Sequence, residues 1–356
     1  MIATFPHMGA LSVTLKSLLS GLGLTVLPPP PISKLTLEIG AKYAPETACL
    51  PLKVTLGNYV EALEAGADTI ITCGGVGPCR LGYYAQIQQE ILKELGYNFT
   101  MVTIEPTAFD VIKIIRQLAP KISMTTIYRA FTLAGAKMST LDEVEDVLRQ
   151  VRATEQVPGT SDHLYQQAVA EIDSAADPRE VRVISDLYRE KLLAVEKNDK
   201  NPYNIGVVGE IYVMLEDFVN QDLDRRLGRL GAHVHRAMSL TNYVRTHLFR
   251  SRSYIDRDNE IAKIAAPYLG HSIGGHGLKS IGTTVSMAKQ RFDGIVHVFP
   301  FTCMPEIIAK NILHQASNDH NIPVLSLAFD EQSGQAGVIT RLEAFVDLLN
   351  YRRGRH

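Results

Sequence analysis

Four cysteines are the residues of this 356-residue chain whose placement best suits chemistry. Cys73 directly follows a β-branched apolar run at 68–72, and Cys303 comes just after another at 294–299. Cys49 and Cys79 stand just ahead of, or at, the starts of predicted helices. An α/β protein puts its site at such strand carboxyl ends and helix amino ends. Backbone N–H groups and the helix dipole favour anionic sulfur there. Cys73-Gly74-Gly75-Val76-Gly77-Pro78-Cys79 is a glycine-rich turn between two thiols. Its glycines permit positive φ and close approach, so backbone N–H groups can point at bridging sulfides. Pro51 and Pro305 each follow a cysteine by two positions, where a first helical turn accepts proline.

From spacing alone the thiols fit buried structural cysteines, an iron–sulfur cluster, zinc or a catalytic thiol, including a Cys/His pair. Zinc fits less well than a cluster, because the paired C-x₂₋₄-C knuckles of structural zinc sites are missing. So few cysteines in so long a chain do not make a disulfide scaffold. Lys53, Arg80, Glu306, Asp330 and Glu331 lie next to the cysteines or near predicted strand ends. Such charges are ordinarily solvated. Lys53 and Arg80 would also offset the negative charge of four thiolates.

Other motifs carry less. Gly270-His271-Ser272-Ile273-Gly274 matches the G-x-S-x-G nucleophile elbow, but the elbow needs a preceding strand, and 258–269 reads as helix. Gly274-Gly275-His276-Gly277 before a helix is a better anion-site candidate, with His276 able to donate to an acyl carbonyl, phosphate or cluster. A non-redox hydrolase or transferase using His276 with Ser272 or a cysteine is the rival reading. There is no Gly-Lys pair for a Walker A loop, no G-x-G-x-x-G after a strand and no H-E-x-x-H.

The elements that must position these residues alternate. Strand-like runs at 2–5, 24–27, 68–72 and 99–104 are separated by helical segments such as 52–65 and 83–95. From 111 to 200 the chain reads as charged helices at 141–151, 163–175 and 181–195, broken by Pro158-Gly159. Alternation returns with strands at 204–208, 233–237, 294–299 and 323–329 and helices at 212–227, 305–320 and 337–350. The expected organisation is an α/β domain over 1–110, a helical segment over 111–200 and a second α/β domain over 201–356. Two parallel-sheet domains facing each other make a cleft.

Composition narrows the partners. The 46% hydrophobic fraction is that of a globular protein, and a formal net charge of −2 draws neither nucleic acid nor anionic membranes. Only Arg352-Arg353-Gly354-Arg355-His356 is locally basic. Apolar stretches are interrupted well before about 20 residues, so no membrane span is expected. The first basic residue is Lys16, which leaves no charged leader, and the expected compartment is the cytoplasm.

The motifs carry a family likeness. Glu46-Thr47-Ala48-Cys49-Leu50-Pro51-Leu52-Lys53 with Gly57, and Cys73 through Cys79 into Arg80-Leu81-Gly82-Tyr83-Tyr84, resemble the cysteine motifs of acyl-CoA dehydratase activase-related proteins. These are also called CoA protein activases, within the wider 2-hydroxyacyl-CoA dehydratase-like group. Gly209-Glu210-Ile211-Tyr212, Gly274-Gly275-His276-Gly277, Pro300-Phe301-Thr302-Cys303-Met304-Pro305-Glu306, Asp330-Glu331-Gln332-Ser333-Gly334 and Arg341-Leu342-Glu343-Ala344-Phe345 resemble later blocks. The resemblance implies two flavodoxin-like domains around an iron–sulfur cluster in their cleft. Dehydratase subunits use three cysteines and leave one iron open, whereas related double-cubane proteins use more thiols than this chain has. Here Cys49, Cys73, Cys79 and Cys303 would suffice for a single [4Fe–4S] cluster, with Lys53, Gly74, Gly75, Arg80, His276 and Glu306 around it or facing substrate. Full ligation would suit electron transfer, and an open iron would suit dehydration or low-potential reduction of an acyl-CoA or another small molecule. The implied partner is an ATP-dependent activase of the acetate kinase/Hsp70-type fold, which this chain lacks.

Overall fold

A computed structural model of the chain describes residues 1–75, 79–105 and 108–354, without the side chains of 108–110. Val76, Gly77 and Pro78 of the Cys73–Cys79 turn, and Arg355 and His356 of the basic tail, lie outside the described residues.

The fold is α/β, with two four-stranded, all-parallel sheets. The first holds β1 (Ile2–Thr4), β2 (Thr25–Val26), β3 (Thr69–Cys73) and β4 (Thr100–Ile104) in the order β2-β1-β3-β4. The second holds β5 (Tyr203–Gly209), β6 (Ala232–Arg236), β7 (Gly294–Pro300) and β8 (Val324–Phe329) in the order β6-β5-β7-β8. Both repeat one connectivity, the order with which a flavodoxin-like sheet begins. Ile205, Val207, Val296 and Val298 of the second sheet are wholly buried. Strands covered on both faces need such continuous apolar runs.

Around the first sheet lie α1 (Leu11–Gly21), α2 (Lys34–Tyr43), α3 (Leu50–Glu64) and α4 (Tyr84–Glu94), the last preceded by a 3₁₀ turn at Arg80–Tyr83. Next come α5 (Ala108–Leu118), α6 (Met124–Arg152), α7 (Thr160–Ser174) and α8 (Pro178–Leu193). Val144, Leu148, Ile172 and Tyr188 of this helical stretch share a core with Val13 of α1. The second sheet is flanked by α9 (Ile211–Leu215), α10 (Asp217–Asn220), α11 (Leu223–Arg229), α12 (Leu240–His247), α13 (Arg252–Ala265), α14 (Gly277–Lys289), α15 (Met304–Asp319) and α16 (Gln335–Arg353).

One expected helix, 212–227, is in fact three pieces. Glu216 leaves the helical path with φ −102° and ψ 105° to cap α10 through the N–H of Phe218. Its other carboxylate oxygen accepts from the Gly9 N–H at 2.8 Å and meets His7 Nδ1 at 2.9 Å. These tertiary bonds to the first sheet's loop outweigh the local period. Gln221 and Asp222, both left-handed, make the second break. The expected strand at 24–27 shrinks to two residues, a short edge.

Helix α3 is the centrepiece. Every residue from Leu50 to Val60 is buried. Leu50 and Val54 enter the core of the second sheet, and Leu56, Tyr59, Val60 and Leu63 enter that of the first. Helix α2 lies against it at backbone contact. A Cβ on Gly40 would stand 1.7 Å from the Lys53 carbonyl oxygen, and one on Gly57 would stand 1.8 Å from that of Thr36. Neither neighbour can rotate away, because both are main chain. Gly40→Ala is therefore expected to cost about 2–3 kcal/mol, read as a lower urea midpoint at unchanged slope. An unchanged midpoint would disprove the close approach.

Candidate functional site

In each sheet the strand order reverses between the two central parallel strands, β1/β3 and β5/β7, and ligands of α/β proteins bind beyond the carboxyl ends of the strands at that point. All four cysteines stand at such ends. Cys73 is the last residue of β3, paired with Ile104. Cys49 is the N-cap of α3, Cys79 that of the 3₁₀ turn before α4, and Cys303 that of α15. Pro51 and Pro305 occupy the first turns of α3 and α15. All four thiols are free.

The thiols sense one another and a common set of neighbours. Cys49 feels the charge of Cys79, and Cys303 that of Cys49. Tyr243 of α12 feels Cys73 and Cys79. Burial is the first cause that raises each thiol above its ordinary range. Cys73 is open to solvent yet crowded by protein, the situation of a group on the floor of a cleft. Cys49 hydrogen-bonds the Tyr84 hydroxyl. The N–H groups of Leu81 and Glu306 face Cys79 and Cys303 and lower their pKa, although neither sulfur closes a capping hydrogen bond.

Two cations join the halves of the site. Arg80 donates to the Thr47 carbonyl at 2.8 Å and to that of Thr302. It thereby ties together the chain just ahead of Cys49 and just ahead of Cys303, while itself following Cys79. Its charge lowers the pKa of Cys49 and Cys79. Lys53, buried on α3, donates to Glu331 at 2.6 Å and to the Glu46 carbonyl at 3.1 Å. It is engaged in an ion pair between the two halves, not free beside the sulfurs.

Glu306 and His276 arrive together because α14 and α15 start in backbone contact. A Cβ on Gly277 would stand 2.6 Å from the Pro305 carbonyl oxygen, and Gly274 and Gly275 supply positive φ just before. His276 is the N-cap of α14, and burial pulls its imidazole down to about 4, so the ring is neutral. Glu306 is fully buried. One of its oxygens accepts from Ser280 at 3.0 Å and meets His297 Nε2 at 2.8 Å, and the other has no partner. Gly74 packs against Glu105, and Gly75 against Gly82.

Sequence reasoning left Glu210 out of the site, and the structure puts it at the centre. It follows β5 and caps α9, accepting from the N–H groups of Tyr212 and Val213 at 3.0 Å each. Burial, helped by Glu306, pushes its carboxyl up to about 7 against those two hydrogen bonds. Its charge raises Cys49, Cys79 and Cys303 alike. The available signal was an acidic N-cap directly after a strand-ending glycine. Gly209 must be glycine, since its φ is 138° and a Cβ would stand 1.8 Å from the Val298 carbonyl oxygen.

Ser272 is not gathered in. It is exposed in the loop after α13, its hydroxyl accepts from the Gly274 N–H at 3.3 Å, and the strand that an elbow requires does not precede it. Among the described residues, no three His, Cys, Asp or Glu side chains close on one point as the ligands of a single ion would. A four-iron cubane spreads its thiolates over four metals, so its ligands stand further apart than those of one zinc. No protein-family model matches this chain, and neither does any curated protein.

Glu210→Gln is expected to lower the pKa of the nearby thiols, because a repelling carboxylate disappears. In metal-free, reduced protein, alkylation of Cys303 should run roughly threefold faster at pH 8.5, half a pKa unit's worth of extra thiolate. The gain should vanish below pH 7, where Glu210 is itself protonated. Site-resolved mass spectrometry reads both arms, and equal rates at pH 8.5 would remove Glu210 from the site.

Proposed function

We propose that the chain is an iron–sulfur redox protein in which Cys49, Cys73, Cys79 and Cys303 hold a single [4Fe–4S] cluster between the two sheets. The observation that carries this reading is four free thiols, from both sheets, at the ends where α/β proteins bind ligands, with Arg80 tied to the backbone beside two of them. The donor set fits the group in number and in softness. The likeness of the cysteine motifs to the 2-hydroxyacyl-CoA dehydratase-like proteins points the same way.

When bound, such a cluster supplies single electrons. The chain's own residues do the rest. Arg80 holds the Cys49 and Cys303 loops together and offsets thiolate charge. Glu210, titrating at about 7, is poised to stay neutral beside an anionic centre and to release a proton from its carboxyl. Neutral His276 can offer an imidazole N–H to a substrate oxygen.

In this reading electrons come from an ATP-dependent activase of the acetate kinase/Hsp70-type fold. Tyr83, Phe301 and Met304, exposed beside Cys79 and Cys303, offer the apolar surface such a partner would cover. An acyl-CoA thioester or another hard-to-reduce small molecule is the acceptor. Free thiols kept for metal suit the cytoplasm. Among the described residues no helix is long and apolar enough to cross a membrane.

Anaerobically purified protein is expected to carry about four iron and four acid-labile sulfide per chain, with a spin-½ EPR signal after dithionite. Cys303→Ala should lose most of both. Neither metal nor sulfide, even after anaerobic reconstitution, would overturn the cluster. Iron unchanged in Cys303→Ala would overturn the bridging of the two sheets. An EPR signal altered by an acyl-CoA thioester would place substrate at the cluster.

A further inference from the structure

One strand outward from β5, at the carboxyl end of β6, Arg236 lies in the wall of a cavity of about 330 Å³ between α6, α7 and the α10–α11 segment. Its walls contain no cysteine and none of the groups around the thiols. The charges in those walls do not balance. Carboxylates come from Glu145, Asp162, Asp217, Asp222 and Asp224, and guanidiniums only from Arg152, Arg225 and Arg236.

Each guanidinium is already engaged. Arg152 pairs with Asp162 at 2.6 Å, Arg225 with Asp162 and Asp222 at 3.3 Å each, and Arg236 with Asp224 at 2.8 Å and Glu145 at 3.0 Å. Arg149 behind the wall faces Glu145 at 3.2 Å and Asp224 at 3.8 Å, and it brings Asp146 with it, so carboxylates still outnumber guanidiniums. Asp224 is 5% exposed, and its Oδ1 has no hydrogen-bond partner. Asp217 stands at the mouth, its side chain 57% exposed and its Oδ1 3.4 Å from Arg236, the longest of that guanidinium's three pairs. The remaining wall is Tyr165, Leu148, Val169 and Gln166.

We propose that this cavity binds a small organic cation of the amine class, with an ammonium group on Asp224 and Asp217 and its hydrocarbon against Tyr165, Leu148 and Val169. An anion would meet the surplus of carboxylate, and each guanidinium of the wall already faces a carboxylate within 3.3 Å. A bare divalent ion would sit among three guanidiniums and leave the apolar wall unused. An ammonium supplies the missing charge, donates to the orphaned oxygen and lies against an aromatic ring.

The test is isothermal titration of the intact protein at pH 7.5 with 1,4-diaminobutane, with 1,4-butanediol as the neutral isostere. Saturable one-to-one binding of the diamine and none of the diol is expected. Asp217→Asn, at the exposed mouth where folding is not at risk, should weaken binding roughly tenfold. Asp224→Asn should abolish it, with circular dichroism reporting whether that variant folds. No saturable heat from the diamine at millimolar concentration would overturn the proposal. So would full affinity in Asp217→Asn, or magnesium or phosphate binding in the diamine's place.

Discussion

Everything in this molecule hangs on a helix with almost no surface of its own. Helix α3 sits between the two sheets and is buried from Leu50 to Val60. Burying each of its large side chains is worth about 1.5–3 kcal/mol. Those seven (Leu50, Leu52, Val54, Leu56, Tyr59, Val60 and Leu63) together rival the whole net stability of a domain, about 5–15 kcal/mol. Its polar groups are spoken for as well. Asn58 donates to the Pro30 carbonyl at 2.9 Å and accepts from the His7 N–H at 3.1 Å, and Lys53 reaches Glu331. Satisfied buried polar groups fix one register, since a slip would strand each of them. Cys49, at the head of this helix, is thus held by both halves of the protein.

The two sheets place their chemistry by the same rule. In each, the helix that feeds the third strand begins at a site residue: Cys49 before β3 and His276 before β7. In each, the first helical turn after that strand begins at a cysteine: Cys79 after β3 and Cys303 after β7. No sequence repeat is visible between the halves, so the correspondence lives in topology alone. Right-handed crossovers from parallel strands bring these helix starts to one end of each sheet. Arg80, bonded to Thr47 and Thr302, then closes the two ends on each other.

Sequence legibility followed periodicity. Apolar strands bounded by turn residues and long amphipathic helices could be read, and so could the cysteine positions at their ends, because local pattern and tertiary role agree there. The break of 212–227 could not, because its cause is Glu216 reaching the Gly9 N–H, a partner 207 residues away. Lys53 looked like a free cation near the thiols, yet its length and burial take it to Glu331. Glu210 stood out only as part of a family-like block and carried no site role, because a lone glutamate reads as surface charge. Only the packing of Gly209 on Val298 shows that the chain turns it inward. The charge-surplus cavity beneath Arg236 had no sequence signal at all, since its walls come from four separate helices and a strand.

The electrostatics of the cysteine site pull in two directions. Burial and the nearby carboxyls of Glu210 and Glu306 keep Cys303 protonated, while the Arg80 charge and a neighbouring N–H act the other way at Cys79. Metal must displace those protons, so any loading of the thiols is linked to pH and grows easier as pH rises. The linkage is not monotonic in its electrostatics, because Glu210 ionises near 7 and adds a negative charge among the same sulfurs. A site built only to stabilise thiolates would have placed a second cation at the end of β5. A carboxyl there, held by two backbone N–H groups and yet pushed up to about 7, costs thiolate stability and keeps a proton within the cleft. Under the proposed cluster reading, that carboxyl would couple electron arrival to proton movement.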